Sequence, residues 1–116
     1  MSVDCVFCRI VAGEIPTERV HETGETLAFR DIAPKAPVHV LIIPKAHHPN
    51  LAAVAEADPA LAGQILAAAA AVAKAEGLQA DGYRVIFNTG AHAGQDVFHV
   101  HAHVVGGAPL GPMLCR

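Results

Sequence analysis

Residues 99–105 read His-Val-His-Ala-His-Val-Val, imidazole alternating with small or β-branched apolar side chains at a period of two. A helix would scatter these histidines around its axis, whereas a strand places all three on one face and the apolar residues on the other. The segment 97–105 is therefore predicted to be a half-buried strand, with Val100, Ala102 and Val104 turned into a core and His99, His101 and His103 sharing the opposite surface. Neighbours on that surface are rooted about 6.6–6.8 Å apart and the outer pair about twice that. His101 can thus interact with both others, while His99 and His103 cannot easily meet.

Such a strand needs partners. Residues 38–43, between Pro37 and Pro44, are β-branched and apolar apart from His39, as a central strand would be. Residues 19–21 and 26–30 flank Glu22-Thr23-Gly24-Glu25 and suggest a hairpin, and 83–88 form a further strand joined to 97–105 by a glycine-bearing loop. Residues 6–12 suggest one or two helical turns ending at Gly13, and Asp58 as N-cap, Pro59 and Gly77 bracket a long alanine-rich helix. The order of strands, helix and strands predicts an α+β fold: an antiparallel sheet of about five strands with one long and one short helix. At 116 residues and 53% hydrophobic content the chain can close one core, as one domain over 1–116, without disulfides.

The formal charge is −3, and neither the eleven acidic nor the eight basic side chains gather into a run, which argues against nucleic acid or a membrane surface as partner. The opening MSVDCVFCRI has no basic segment followed by an apolar stretch, so no secretory signal is read there and a reducing, cytoplasmic setting is expected. The most apolar window, 61–73, is shorter than the ~20 residues of a membrane helix.

Three histidines on one face admit a coincidental, a metal-binding and a catalytic reading. Two histidines two apart on a strand can chelate one ion. Alternatively, a neutral imidazole can attack phosphorus while its neighbours fix its tautomer and orient the phosphate. Spacing alone does not separate these. Asn88, Gly94, Gln95 and Asp96 precede the histidines and are of types that can hold a phosphate. Cys5-Val6-Phe7-Cys8 supports a zinc knuckle, a redox pair or two buried thiols. Cys115 has no evident partner.

The pattern His-φ-His-φ-His-φ-φ resembles that of the histidine triad family of nucleotide hydrolases and transferases. The likeness extends over FRDIAPKAPVHVLIIP, residues 82–88, the AGQD loop and the ending GGAPLGPM. These stretches look like the branch of histidine triad nucleotide-binding proteins, or purine nucleoside phosphoramidases. That resemblance implies a homodimer whose two sheets join edge to edge. It also implies hydrolysis of purine nucleoside 5′-phosphoramidates through a nucleotidyl-histidine on His101, with no cofactor required for catalysis. His103 would contact the phosphate oxygens, His99 would help set protonation, and His39 would hydrogen-bond the nucleophile's other nitrogen. Asp31 would accept the ribose hydroxyls, Ile32 would cover the purine, and Asn88, Gly94, Gln95, Asp96 and Val97 would line the phosphate end with His101 and His103.

Asp96 departs from the serine found there in many relatives. A carboxylate beside a phosphate is unfavourable unless it is protonated, turned away or paired with a cationic amine. Some branches also hold structural zinc, and by analogy Cys5, Cys8, His99 and either His47 or His48 would be its ligands here. Other branches act on dinucleoside polyphosphates, and a non-catalytic nucleotide- or zinc-binding module is the further alternative.

Overall fold

The structure, a computed structural model, describes residues 5–114; Cys115 lies outside them. A hairpin opens the sheet: β1 (Arg19–Glu22) and β2 (Thr26–Arg30) are joined by a turn in which the Thr23 hydroxyl accepts the Thr26 N–H at 3.0 Å. Next come β3 (Val38–Pro44), β4 (Tyr83–Phe87) and β5 (Ala102–Gly106), giving one antiparallel sheet in the order β1-β2-β3-β5-β4. Among the described residues, three α-helices complete the fold: α1 (Val6–Val11), α2 (Leu51–Ala57) and α3 (Pro59–Ala75). None is long and apolar enough to cross a membrane, among the described residues.

The expected long helix is present, with the Asp58 carboxylate accepting the Leu61 N–H at 3.1 Å and Pro59 in the first turn. The seven-residue helix α2 before it is an addition to the sequence expectation. Asn50 caps it through the Ala53 N–H at 2.9 Å, and the extended backbone of Asp58 ends it and begins the next.

The expected strand 97–105 starts late, at Ala102. Register supplies the reason. Ile42 pairs with Ala102, so two steps further back Val100 would face Pro44, which has no N–H to donate. The ladder breaks there, and the Val100 N–H donates instead to the His48 carbonyl at 2.7 Å. His99 and His101 therefore precede β5, and only His103 lies within it.

The alternation still sorts two faces. Val100, Ala102 and Val104 join Ala28, Val40 and Ile42 under Leu61, Ile65, Ala69 and Val72 of α3. At the end of α3, Arg30 clamps Glu76 with two bonds of 2.9 and 3.1 Å. The other face carries Leu27, Phe29, Leu41 and Ile43, covered by Phe7 and Ile10 of α1. Because α1 is short, it covers one end of this face and leaves the end bearing His39 and His103 open.

Candidate active site

Leu41 and Ile86 flank His103 across the sheet, and His39 and Arg84 flank Val105 one step along the same face. His101 is buried, 6% exposed, between Phe7 and His103, with ring centroids 5.1 and 5.0 Å away. Phe7 also meets the fully buried His99 edge-on at 5.9 Å.

The hydrogen bonds assign each ring a tautomer, because backbone groups are unambiguous partners. The Lys35 N–H donates to His39 Nδ1 at 3.0 Å, so in the neutral ring the proton sits on Nε2. That Nε2–H reaches His103 Nδ1 at 3.0 Å, with Asp31 Oδ2 3.4 Å away. His103 must then carry its own proton on Nε2, as a donor. His101 Nδ1–H donates to the His99 carbonyl at 2.9 Å, which leaves the Nε2 lone pair of the neutral ring free. His99 Nε2–H donates to the Pro44 carbonyl at 2.8 Å, which leaves Nδ1 as its free lone pair. One expectation is corrected: His39 orients His103, and the nucleophile candidate His101 is oriented by the backbone of His99. Register decides this, since His39 lies on the part of β3 that faces the far half of β5.

Burial pushes His103 from its usual 6.5 to about 4, assisted by His101 and His39 and opposed by Asp31 and Asp96. It likewise pushes His99 to about 4 and lowers His39. All three rings are thus neutral near pH 7. For His103 and His99 the folded values lie below the unfolded ones, so between about pH 6.5 and 4 the unfolded chain binds more protons, and His39 acts in the same direction. Stability is expected to be full above this window and to fall as pH drops through it, by up to about 1.4 kcal/mol per pH unit for each group. Thermal midpoints measured across it should show a shallower fall in His103→Asn; an unchanged slope would contradict the assignment.

Asp31, His39, Asn88, Asp96 and His103 line a cavity of about 470 Å³, together with Lys35, Arg84 and Ile86. Of the expected nucleotide contacts, Asp31, Asn88, Asp96 and His103 are therefore brought together. Ile32 is 96% exposed beside this cavity and does not line it. Gly94, at φ +75°, closes a 3₁₀ turn at Ala91–Ala93, and Asn88 Nδ2 donates to the Ala93 carbonyl at 2.9 Å. The Gln95 side chain is spent on the loop: its amide donates to the carbonyls of Pro49 and Val97 at 2.7 and 3.1 Å, and its oxygen accepts the Gly90 N–H at 2.9 Å. Val97 faces a neighbouring cleft. Phe7, Arg84 and Ile86 are site residues the sequence analysis missed. Alternation along β4 was the available signal for the latter two.

Among the described residues, two groups of metal-ligating side chains converge: Cys5, Cys8, His47 and His99, and Asp31, His39 and His103. The tautomers separate them. His39 Nε2 carries a proton and offers the second group no lone pair, whereas His99 Nδ1 offers the first group one. Sγ–Nδ1 separations there are 3.4 Å for Cys5–His99, 3.4 Å for Cys8–His47 and 3.6 Å for Cys8–His99, and the two Nδ1 atoms lie 3.2 Å apart. Tetrahedral zinc with ordinary bond lengths requires about 3.5 Å and about 3.3 Å for such pairs. The residues fit. His47 rather than His48 completes the set, because it is the His47 ring whose Nδ1 converges on Cys8 and His99. Burial, with Cys5 beside it, pushes the Cys8 thiol up to about 11, a balance that a dication would reverse.

The family model for the HIT domain matches residues 12–110. The purine nucleoside phosphoramidase of Escherichia coli (strain K12) is 44% identical over 116 residues, covering 100% of this chain and 98% of that protein. A HIT family hydrolase from Clostridium thermocellum has a TM-score of 0.93 at 43% identity, covering 99% of this chain and 100% of that one. For a HIT family hydrolase from Legionella pneumophila the TM-score is 0.89 at 46% identity, covering 93% and 96%. With its sheet, its histidine run and these relatives in agreement, the chain belongs to the HIT family.

Proposed function

We propose that the protein hydrolyses purine nucleoside 5′-phosphoramidates at the α-phosphorus through a covalent nucleotidyl-histidine on His101. The observation that carries this reading is the hydrogen bond from His101 Nδ1–H to the His99 carbonyl, which presents a free Nε2 lone pair beside the neutral His103 donor. The similar Escherichia coli protein, named a purine nucleoside phosphoramidase, supports the substrate class. His101 Nε2 attacks phosphorus, and the phosphorus–nitrogen bond of the substrate breaks with its electron pair going to the amine, which takes up a proton. Water then attacks phosphorus, releasing the nucleoside monophosphate and restoring His101. His103 Nε2–H donates to the phosphoryl oxygens as charge builds on them, and Asp31, which lines the same cavity, accepts ribose hydroxyls.

Cys5, Cys8, His47 and His99 hold a structural zinc ion, and two copies pair through β4 in the cytoplasm. The dimer is supported by β4 being an edge strand without a bulge, with Tyr83 and Val85 39% and 37% exposed; β1, at the other edge, is irregular and charged. Sedimentation of the intact chain tests it, a monomer at micromolar concentration counting against.

Incubation with adenosine 5′-phosphoramidate, with adenosine monophosphate and ammonia measured, tests the activity. Turnover of this substrate well above that of diadenosine polyphosphates is expected. Cleavage of the dinucleotides alone, or binding without turnover, would overturn the reading.

A further inference from the structure

Two concavities adjoin at the end of the sheet. The larger holds Asp31, His39 and His103; the second, of about 450 Å³, is walled by Cys5, Val6, His47, Pro49, Val97 and Phe98. Asp96 is the one residue that lines both. Its side chain stands where the two spaces meet, close enough to His103 for its charge to act on that ring.

Asp96 also has no ion-pair partner among the described residues, although Lys35 and Arg84 line the larger cavity with it. The acidic partners in the ion pairs among the described residues are Glu14, Glu18, Glu22, Glu76 and Asp31, and Asp96 takes part in none. It belongs to neither group of converging metal ligands. The second cleft contributes no lysine or arginine, and its apolar wall is open, with Val6 37% and Phe98 57% exposed.

A phosphoramidate bound at His101 and His103 brings a phosphate anion toward this carboxylate, and like charges at short range repel even where, as at the exposed Asp96, water screens them in part. With the nucleoside in the cavity of Asp31, the amine extends past Asp96 along the apolar wall. A positive charge on that amine offsets both anions, whereas a neutral amine leaves them opposed. We infer that Asp96 selects leaving amines that carry a second, cationic group close to the scissile nitrogen. The inference rests on the phosphoramidase reading above and names the class of amine that reading leaves open.

The test uses the full chain and three adenosine 5′-phosphoramidates that differ only at the end of the amine: those of 1,3-diaminopropane, n-butylamine and 4-aminobutyrate. Because Asp96 borders the catalytic cavity, the readout is the ratio of kcat/KM values between amines within each enzyme. The wild type is expected to favour the cationic over the neutral amine by about fivefold or more, and to disfavour the anionic one. The preference should shrink as salt is raised. In Asp96→Asn the cationic-to-neutral ratio should fall to about one, and Asp96→Glu should restore most of it. Turnover without charge preference, or a preference unchanged in Asp96→Asn, overturns the inference alone. Absence of turnover with all three amines overturns the phosphoramidase reading, and this inference with it.

Discussion

His101→Ala is expected to lose at least about 10⁴-fold in turnover of adenosine 5′-phosphoramidate, the scale on which removing a nucleophile acts, while the chain stays folded and still binds adenosine monophosphate. Of the four histidines around the site, His101 alone combines an Nδ1–H held by a backbone carbonyl, 2.9 Å away, with an Nε2 that no described group occupies. Its ring is fixed between Phe7 and His103, so the lone pair is presented without further ordering. Truncation removes the attacking atom and leaves Asp31, Asn88 and Asp96 where they are around the cavity. Loss of turnover should therefore separate from loss of binding, which titration with the monophosphate measures. Acid quenching of the wild type during turnover should trap a nucleotidyl group on His101, and none should form on the variant. Turnover of His101→Ala within about a hundredfold of the wild type would sink the covalent mechanism.

His103→Ala and His39→Ala are a graded comparison, because His39 acts only through His103. The Lys35 backbone fixes His39, His39 fixes His103, and His103 presents its Nε2–H toward the cavity. This chain of orientation was only half legible in the sequence. Alternation showed that the three histidines share a face and that His101 is central. It could not show which of them His39 would meet, because that depends on pairing His39 with Val105 rather than with a residue further back, and inter-strand register is not written into either strand alone.

Pro44 shows the same limit. It reads as a strand terminator by itself, but that it also interrupts the ladder opposite Val100, and so frees His99 to reach its carbonyl, emerges only once register is known. The helix α2 was missed for a different reason. LAAVAEA is short, has alanine at four of its seven positions and buries only Val54, so it has little apolar periodicity to detect; its signal lay in the Asn50 cap. Gln95 was read as a phosphate ligand from its type and place, yet the loop uses every donor it has. Local spacing did identify the cysteine pair, since a C-x-x-C turn builds its geometry within itself, with the Cys8 N–H directed at Cys5 Sγ at 3.4 Å.

That pair carries the second large effect. The protein purified without chelator is expected to contain about one zinc per chain, and Cys8→Ser to contain almost none. The four ligand atoms lie within 4.8 Å of one another, with four of their separations at the spacings a tetrahedral ion imposes, and the His99 lone pair is aimed by the Pro44 carbonyl, so little ordering remains to oppose binding. Cys5 belongs to the smaller core covered by α1, while the larger one lies beneath α3, so the metal-free chain should fold but at a lower midpoint. An ion that binds only the folded chain, present at 1,000 times its dissociation constant, adds about 4 kcal/mol. For a domain of this size that corresponds to a fall of roughly 15–20 °C in Tm on chelation. Catalysis should suffer indirectly. The carbonyl of His99 holds the His101 proton, and Phe7, between the two cysteines, packs against both rings, so loosening the knuckle frees the nucleophile's orientation. A several-fold fall in kcat with little change in KM is the expected signature, reversed by adding zinc to the chelated wild type and not to Cys8→Ser. A Tm that follows oxidant and reductant instead, and ignores chelator, would identify Cys5 and Cys8 as a redox pair and overturn the metal assignment.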